Sequence, residues 1–240
     1  MVSEERVPSV VEDYAKALYS LEVRTDGAPV RTSALADRLG LSAPQVSLMC
    51  KRLAEMGLVT RSAYHGVRLT DEGRRVALQV LRHHRLLELF LADQLGMPWD
   101  RIHAEAEILE HWVSDELEAA IAEKLGHPTV DPHGDPIPTA DLVIDEGQTV
   151  SLDALGAGEA GVFVRVSDSD PGMLRFLAEK GVVPGERLVV LEKQPFDGPV
   201  FLRRADDAED LVLGVQLARA MRIELESCGE SDQGNIGTSA

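Results

Sequence analysis

A chain of 240 residues, with 44% hydrophobic and 27% charged residues and a formal net charge of −17, has the composition of a soluble globular protein with room for two or three small domains. No apolar run approaches the roughly 18 residues that cross a bilayer, and residues 1–6 do not begin a cationic-then-apolar leader. Cys50 and Cys228 form no CxxC motif and no disulfide framework, so the expected setting is a reducing cytoplasm with no membrane partner.

The acidity is unevenly spread. Residues 1–75 hold 11 Lys and Arg against 10 Asp and Glu, and the remainder hold 13 against 31. A polyanion is met by a local basic surface rather than by the net charge, so the first part of the chain stays compatible with nucleic acid. The acidic remainder supplies hard oxygen donors suited to cations, as well as solubility.

Residues 1–73 read as a DNA-binding domain. Ser9-Val10-Val11-Glu12 has capping-box spacing ahead of helical apolar positions at Tyr14, Leu18 and Leu21. Leu35 and Leu39 mark a short helix, Gly40 a turn, and Ser42 the cap of a second helix that tolerates Pro44 in its first turn. That helix turns Val46, Leu53 and Met56 inward and Gln45, Ser47, Lys51 and Arg52 outward, which is the helix-turn-helix arrangement. Two short strands, 58–61 and 67–70, around Tyr64-His65-Gly66 make a wing. Ser42, Pro44, Gln45 and Ser47 are placed to approach base edges in double-stranded DNA, and Lys51, Arg52, Arg61 and Arg68 to approach phosphates. His65, at the wing tip, belongs near DNA rather than metal, and Cys50 belongs to the packing of the second helix.

Residues 74–140 read as a helical domain. One helix opens at Thr70-Asp71-Glu72 and runs to Leu95; another runs from Asp100 to about Leu125, with a break near Ser114. Apolar positions such as Ile108, Trp112 and Leu117 call for a partner, and a second copy of the chain is the economical one. His84 and Glu88 share one side of a helix, and His103, Glu107, Glu110 and His111 follow the spacing of one helical stripe. So many ionisable groups on shared faces repel or pay for desolvation unless a cation lies among them. The second histidine of a helical HExxH site is missing, and no GxSxG elbow, phosphate-binding glycine loop or Cys–His pairing is present, so nothing points to an enzyme.

Glu12-Asp13-Tyr14, the winged helix, His83-His84-Arg85-Leu86-Leu87-Glu88, the run from His103 to His111, and Asp131-Pro132-His133-Gly134-Asp135-Pro136-Ile137-Pro138 together resemble the diphtheria toxin repressor family of metal-dependent regulators over nearly the whole chain. The resemblance implies a homodimer that binds palindromic operators when loaded with Mn(II) or Fe(II). It implies one metal site at His84, Glu88 and His103 and another at Asp13, Glu107, Glu110 and His111. Iron-responsive members place methionine and cysteine where this chain has Asp13 and Glu107, and manganese-responsive members place aspartate and glutamate. Carboxylates harden a site toward Mn(II). Two-domain manganese regulators carry a further glutamate one turn after the aspartate, where this chain has Lys16, which departs from a shared two-metal cluster.

Residues 141–155 read as a linker and 156–226 as short strands around a helix near 173–180, similar to the SH3-like barrel that ends three-domain members. In those members the barrel contributes an acidic ligand and a polar one three residues later. Here the matching positions fall at or near Asp170 and Met173; Met173 is a poor Mn(II) ligand, so Asp168 or Asp170 is the stronger choice, the alternative being that both aspartates only begin a helix. His127 and His133 are not used as ligands in the family pattern, and residues 227–240 read as a disordered tail. The resulting expectation is a mainly α protein with small β elements: a winged helix-turn-helix, a helical dimerisation domain and an SH3-like barrel. Its expected function is that of a Mn(II)-dependent repressor of metal-homeostasis genes. The alternatives are a Fe(II)-dependent repressor of the same fold, or a metal-buffering or interaction module that binds no DNA.

Overall fold

The computed structural model describes residues 7–25, 27–62, 66–204 and 210–225. They form two compact units, Met1–Glu146 and Gly147–Ala240.

In the first unit, α1 (Ser9–Val23), α2 (Thr32–Leu39) and α3 (Ala43–Glu55) precede a hairpin of β1 (Val59–Ser62) and β2 (Gly66–Leu69). α1 is entered through Pro8, whose φ of −61° suits a helix start, so Ser9 lies inside the helix and the anticipated capping box does not form. Gly40 ends α2 with a left-handed φ of 65°, which turns the chain into α3. Ser42 and Gln45 form a capping box at the start of α3. Tyr14, Leu18, Leu35, Val46, Cys50, Leu53 and Val67 close one core. Met56 is the exception to the sequence reading: it caps the end of α3 and is 41% exposed, because the chain leaves the helix there. Glu22, fully buried, binds the Leu69 amide at 2.7 Å and Arg74 at 3.0 Å, tying α1 to the wing and to the next helix. His65 and the rest of the wing tip lie outside the described residues.

α4 (Asp71–Asp93) begins with the Thr70 side chain accepting from the Gly73 amide. Gly73 passes so close to the hairpin that a Cβ there would sit 1.9 Å from the Leu58 carbonyl oxygen, so only glycine fits. α5 (Trp99–Leu109) gives way to a 3-10 turn, Glu110–Trp112, before α6 (Asp115–Lys124), which Ser114 caps. The break expected near Ser114 therefore takes in the five residues 110–114, and the stripe from His103 to His111 is not one continuous α-helix. Ile108 and Trp112, 64% and 74% exposed, are left in water on one chain, as a face that meets a second copy would be. Leu142 and Ile144 pack back onto the winged-helix core, and the Tyr19 hydroxyl meets Glu146 at 3.0 Å.

The second unit is an antiparallel six-stranded sheet in the order β3-β8-β4-β5-β6-β7. Its strands are β3 (Val150–Ser151), β4 (Ala160–Val166), β5 (Arg187–Lys193), β6 (Val200–Arg204), β7 (Asp210–Leu213) and β8 (Met221–Leu225), with helices α7 (Pro171–Glu179) and α8 (Val215–Ala220). Register shifts between Phe163 and Arg165 and between Val190 and Glu192 bend the strands, as a small SH3-like fold requires. The linker expected through residue 155 ends earlier: β3 is already part of the sheet, and Leu152 and Leu155 are buried in its core. Residues 227–240, expected as a disordered tail, lie outside the described residues.

Candidate metal centres and nucleic-acid surface

The middle of α4 buries four polar side chains, Arg82, His83, His84 and Glu88, among its apolar ones. Groups of this kind are buried only with partners. Arg82 reaches Glu118 on α6 and the Pro138 carbonyl, each at 2.6 Å, and His83 bridges Glu118 and the Glu110 carbonyl. These bonds hold α4, α6 and the 3-10 turn in register around the donors.

The first donor group is His84, Glu88 and His103. Glu88 Oε1 lies 3.0 Å from His84 Nε2 and 3.1 Å from His103 Nδ1. Burial alone would raise the Glu88 carboxyl, but the charge of His84 and the surrounding imidazoles hold it well below the usual carboxylate range. On its other side His84 Nδ1 meets Glu110 Oε2 at 2.5 Å, so both ring nitrogens face carboxylate oxygens. Burial works against the imidazolium, but Glu88 and Glu110 outweigh it and push the pKa up to about 9.

The second group is Asp13 on α1 with Glu110 and His111 on the 3-10 turn, their donor atoms within 4.8 Å of one another. His111 Nε2 lies 3.0 Å from Asp13 Oδ1 and 3.6 Å from Glu110 Oε1. Its other nitrogen meets Glu12 Oε2 at 2.6 Å, which fixes the ring's orientation and leaves Nε2 for the centre. Glu107 falls between the groups rather than in the second: its donor clusters with those of His84 and Glu110, and its side chain is 41% exposed. Lys16 Nζ joins Glu107 and Glu110, at 2.7 and 2.5 Å. Burial penalises this ammonium, but the two glutamates more than offset it and its pKa is raised.

Spacing along the chain could not reveal a third contact. Glu88 Oε2 faces His133 Nδ1 at 3.5 Å, and Asp131 lies with them, all three buried. Asp131 Oδ1 caps its own loop through the amides of His133 and Asp135, and Arg85 approaches both aspartates. Burial, together with the charge of Glu88, holds the Asp131 carboxyl well above its ordinary range. His133 Nε2 meets the Trp99 carbonyl at 3.0 Å while its ring stacks on Trp99. The only sequence signal was a histidine in a proline- and glycine-rich loop, without a helical repeat to connect it to α4.

In the second unit, Asp168 lies in the turn after β4. Asp170 accepts from the Gly172 amide and caps α7, which is the helix-starting role, and Met173 lies on that helix.

Ser42 at the cap of α3, and Pro44, Gln45, Ser47, Lys51 and Arg52 on it, are all exposed, and Leu48, 71% exposed, shares their side of the helix. Arg61 and Arg68 are exposed on the hairpin, Arg68 holding the Gly27 carbonyl. Basic and polar side chains thus line one helix and the adjacent hairpin, the surface a winged helix offers to duplex DNA.

The chain matches the models of three domains. They are the iron dependent repressor N-terminal DNA binding domain over residues 7–67, the iron dependent repressor metal binding and dimerisation domain over 70–139, and the FeoA domain over 150–225. It is 33% identical to the iron-dependent repressor IdeR of Mycobacterium tuberculosis, across 89% of this chain and 96% of that protein. With the diphtheria toxin repressor of Corynebacterium glutamicum it shares 30% identity, across 89% and 95%. Among solved structures, a manganese-dependent transcriptional repressor in complex with manganese is 40% identical, with 90% of this chain and 100% of that one covered and a TM-score of 0.82. The structure of the manganese regulator SloR is 32% identical, with 90% and 98% covered and a TM-score of 0.73.

Proposed function

The chain belongs to the diphtheria toxin repressor family of metal-dependent, DNA-binding transcriptional repressors, which are not enzymes, and we propose that its effector is Mn(II) and its target a palindromic operator bound by the homodimer. The observation that carries the effector is the donor chemistry. Asp13, Glu107, Glu110 and His111 offer only oxygen and imidazole nitrogen, and Cys50 is buried in the winged-helix core. Such a set suits Mn(II), which has no ligand-field preference and favours oxygen. Likeness to a manganese-dependent repressor at 40% identity supports the same choice. Fe(II) is the second reading, favoured by the 33% identity with iron-dependent repressors. Titrating operator binding with Mn(II) and with anaerobic Fe(II) in parallel separates them; tighter response to Fe(II) removes the manganese assignment.

The donor sets fit a divalent ion. Buried carboxylates and imidazoles converge, and Glu88 Oε2 has no hydrogen bond within the described residues. His84, Glu88 and His103 would hold one ion, with Asp131 and His133 behind Glu88. Asp13, Glu110 and His111 would hold another, with Glu107 beside them. The ion's part is to supply positive charge that lets these carboxylates stay together. Asp13 then ties α1, and with it the winged helix, to the 3-10 turn beside the dimerising face. That tie restricts the spacing of the two α3 helices, each of which must enter a major groove about one helical turn from its twin. Binding then pays less ordering cost.

Two expectations follow from charge. Lys51, Arg52 and Arg61 are placed on phosphates, so operator affinity falls with salt, and replacing one of them by alanine lowers the log–log salt slope by about 1. A salt-independent affinity contradicts this surface. For pH, the folded pKa of His84, about 9, lies above its ordinary 6.5. The stabilisation it gives the metal-free protein is complete below 6.5 and is lost as pH rises through about 9. A cation must displace that proton, so Mn(II) affinity rises with pH over the same window. Calorimetry in buffers of different ionisation enthalpy reads the proton release; zero release at pH 7 contradicts the assignment of His84.

A further inference from the structure

We propose that Lys16 is the resident cation of the Asp13–Glu110–His111 centre, which limits that centre to a single divalent ion and sets the metal concentration at which it fills. The inference rests on the metal-responsive reading above. Lys16 is only 17% exposed at its side chain, and its ammonium touches Glu110 Oε1 at 2.5 Å and Glu107 Oε1 at 2.7 Å. Glu110 Oε1 is also the Glu110 oxygen that approaches His111 Nε2, at 3.6 Å, the same nitrogen that lies 3.0 Å from Asp13 Oδ1. An ion seated among Asp13, Glu110 and His111 therefore competes with Lys16 for one oxygen.

The fixed charges around Lys16 decide how many ions can enter. Asp13, Glu107 and Glu110 carry three negative charges, and Glu12 is engaged with the far nitrogen of His111. With the first centre filled and the His84 proton displaced, Lys16 and one divalent ion bring the group to neutrality, and a second ion would leave two uncompensated positive charges beside a buried ammonium. With a glutamate at position 16 the group would carry four negative charges, which two divalent ions neutralise. The lysine also keeps Glu107 and Glu110 from repelling each other in the metal-free protein, so metal entry is an exchange of one cation for another rather than the filling of an open, highly anionic hole. That raises the concentration needed for loading.

The test compares the full-length wild type with Lys16→Met, which keeps the length but not the charge, Lys16→Arg, which keeps the charge, and Lys16→Glu. The probe is Mn(II) alone, with ions counted by equilibrium dialysis and read by electron paramagnetic resonance; circular dichroism checks that each variant is folded. Wild type and Lys16→Arg should show magnetically isolated ions in equal number. Lys16→Met should bind its tightest Mn(II) about tenfold tighter or more, since a like charge a few ångströms away is removed. Lys16→Glu should take one further ion per subunit, spin-coupled to its neighbour. Folded Lys16→Met and Lys16→Glu proteins that match wild type in number, affinity and spectrum overturn the inference while leaving metal binding intact. A spin-coupled pair in wild type also overturns it, and a wild type that binds no Mn(II) overturns the functional reading as well.

Discussion

Replacing Glu110 by glutamine is expected to weaken metal-stimulated operator binding by about 100-fold, the scale on which a metal site responds when a group that holds it is lost. Glu110 is fully buried and stands where the two donor groups meet. Oε2 binds His84 Nδ1, and Oε1 binds Lys16 and approaches His111. Glutamine keeps the shape but removes the charge, so the second centre loses a ligand and His84 loses the partner that orients it toward Glu88 and His103. Glu107→Gln should have a smaller effect, because Glu107 is part-exposed and its contacts with His84 and His103 are long, at 3.9 and 3.8 Å. Fluorescence anisotropy of operator DNA across a Mn(II) series measures both variants, with circular dichroism confirming the fold. Undiminished metal response in Glu110→Gln removes this residue from the centre. Equal losses in both variants contradict the geometry that separates them.

The double change Asp13→Met with Glu107→Cys is expected to move the preference from Mn(II) toward Fe(II) by about tenfold or more, without altering which operator is bound. The thioether and thiolate are softer donors than the carboxylates they replace, and affinity for such donors rises from Mn(II) to Fe(II) along the divalent series. A Mn(II) sensor sits at the weak end of that series and relies on oxygen donors and coordination geometry rather than on raw affinity. Asp13 is the donor that α1 contributes, so the exchange acts where metal binding is coupled to the winged helix. Glu107 is held by Lys16 at 2.7 Å, and its replacement leaves Lys16 to Glu110 alone. Anaerobic operator titrations of wild type and double mutant with each metal decide the matter. An unchanged ranking shows that these two positions do not set selectivity.

The sequence spoke most clearly where chemistry repeats along a helix. His84 and Glu88 lie one turn apart on α4, and Glu110 and His111 are adjacent, so those pairs could be read from spacing. The helix-turn-helix was readable because Gly40, Ser42 and Pro44 leave few other conformations for the turn. What spacing could not convey is closure in three dimensions. The 3-10 turn at Glu110–Trp112 breaks the stripe that begins at His103, so Glu107 points between the groups instead of joining Asp13. His133 comes to Glu88 from a loop more than forty residues away, and Lys16 finds its glutamates from ninety or more, at 91 and 94. Glu12 looked like half of a capping box and is instead the hydrogen-bond partner of His111. The early strand β3 was hidden for a different reason: two residues paired with β8 give no alternating pattern to detect.

The most direct measurement is the affinity of the metal-stripped full chain for a palindromic duplex that the Mn(II)-loaded protein selects from a random library, taken with and without Mn(II) at fixed salt. If Asp13, Glu110 and His111 couple metal to the spacing of the α3 helices, Mn(II) tightens binding by about 100-fold, the upper range of allosteric coupling, and a chelator reverses it. Equal affinity in the two conditions, or tight binding that survives the chelator, would contradict metal control of this DNA-binding surface.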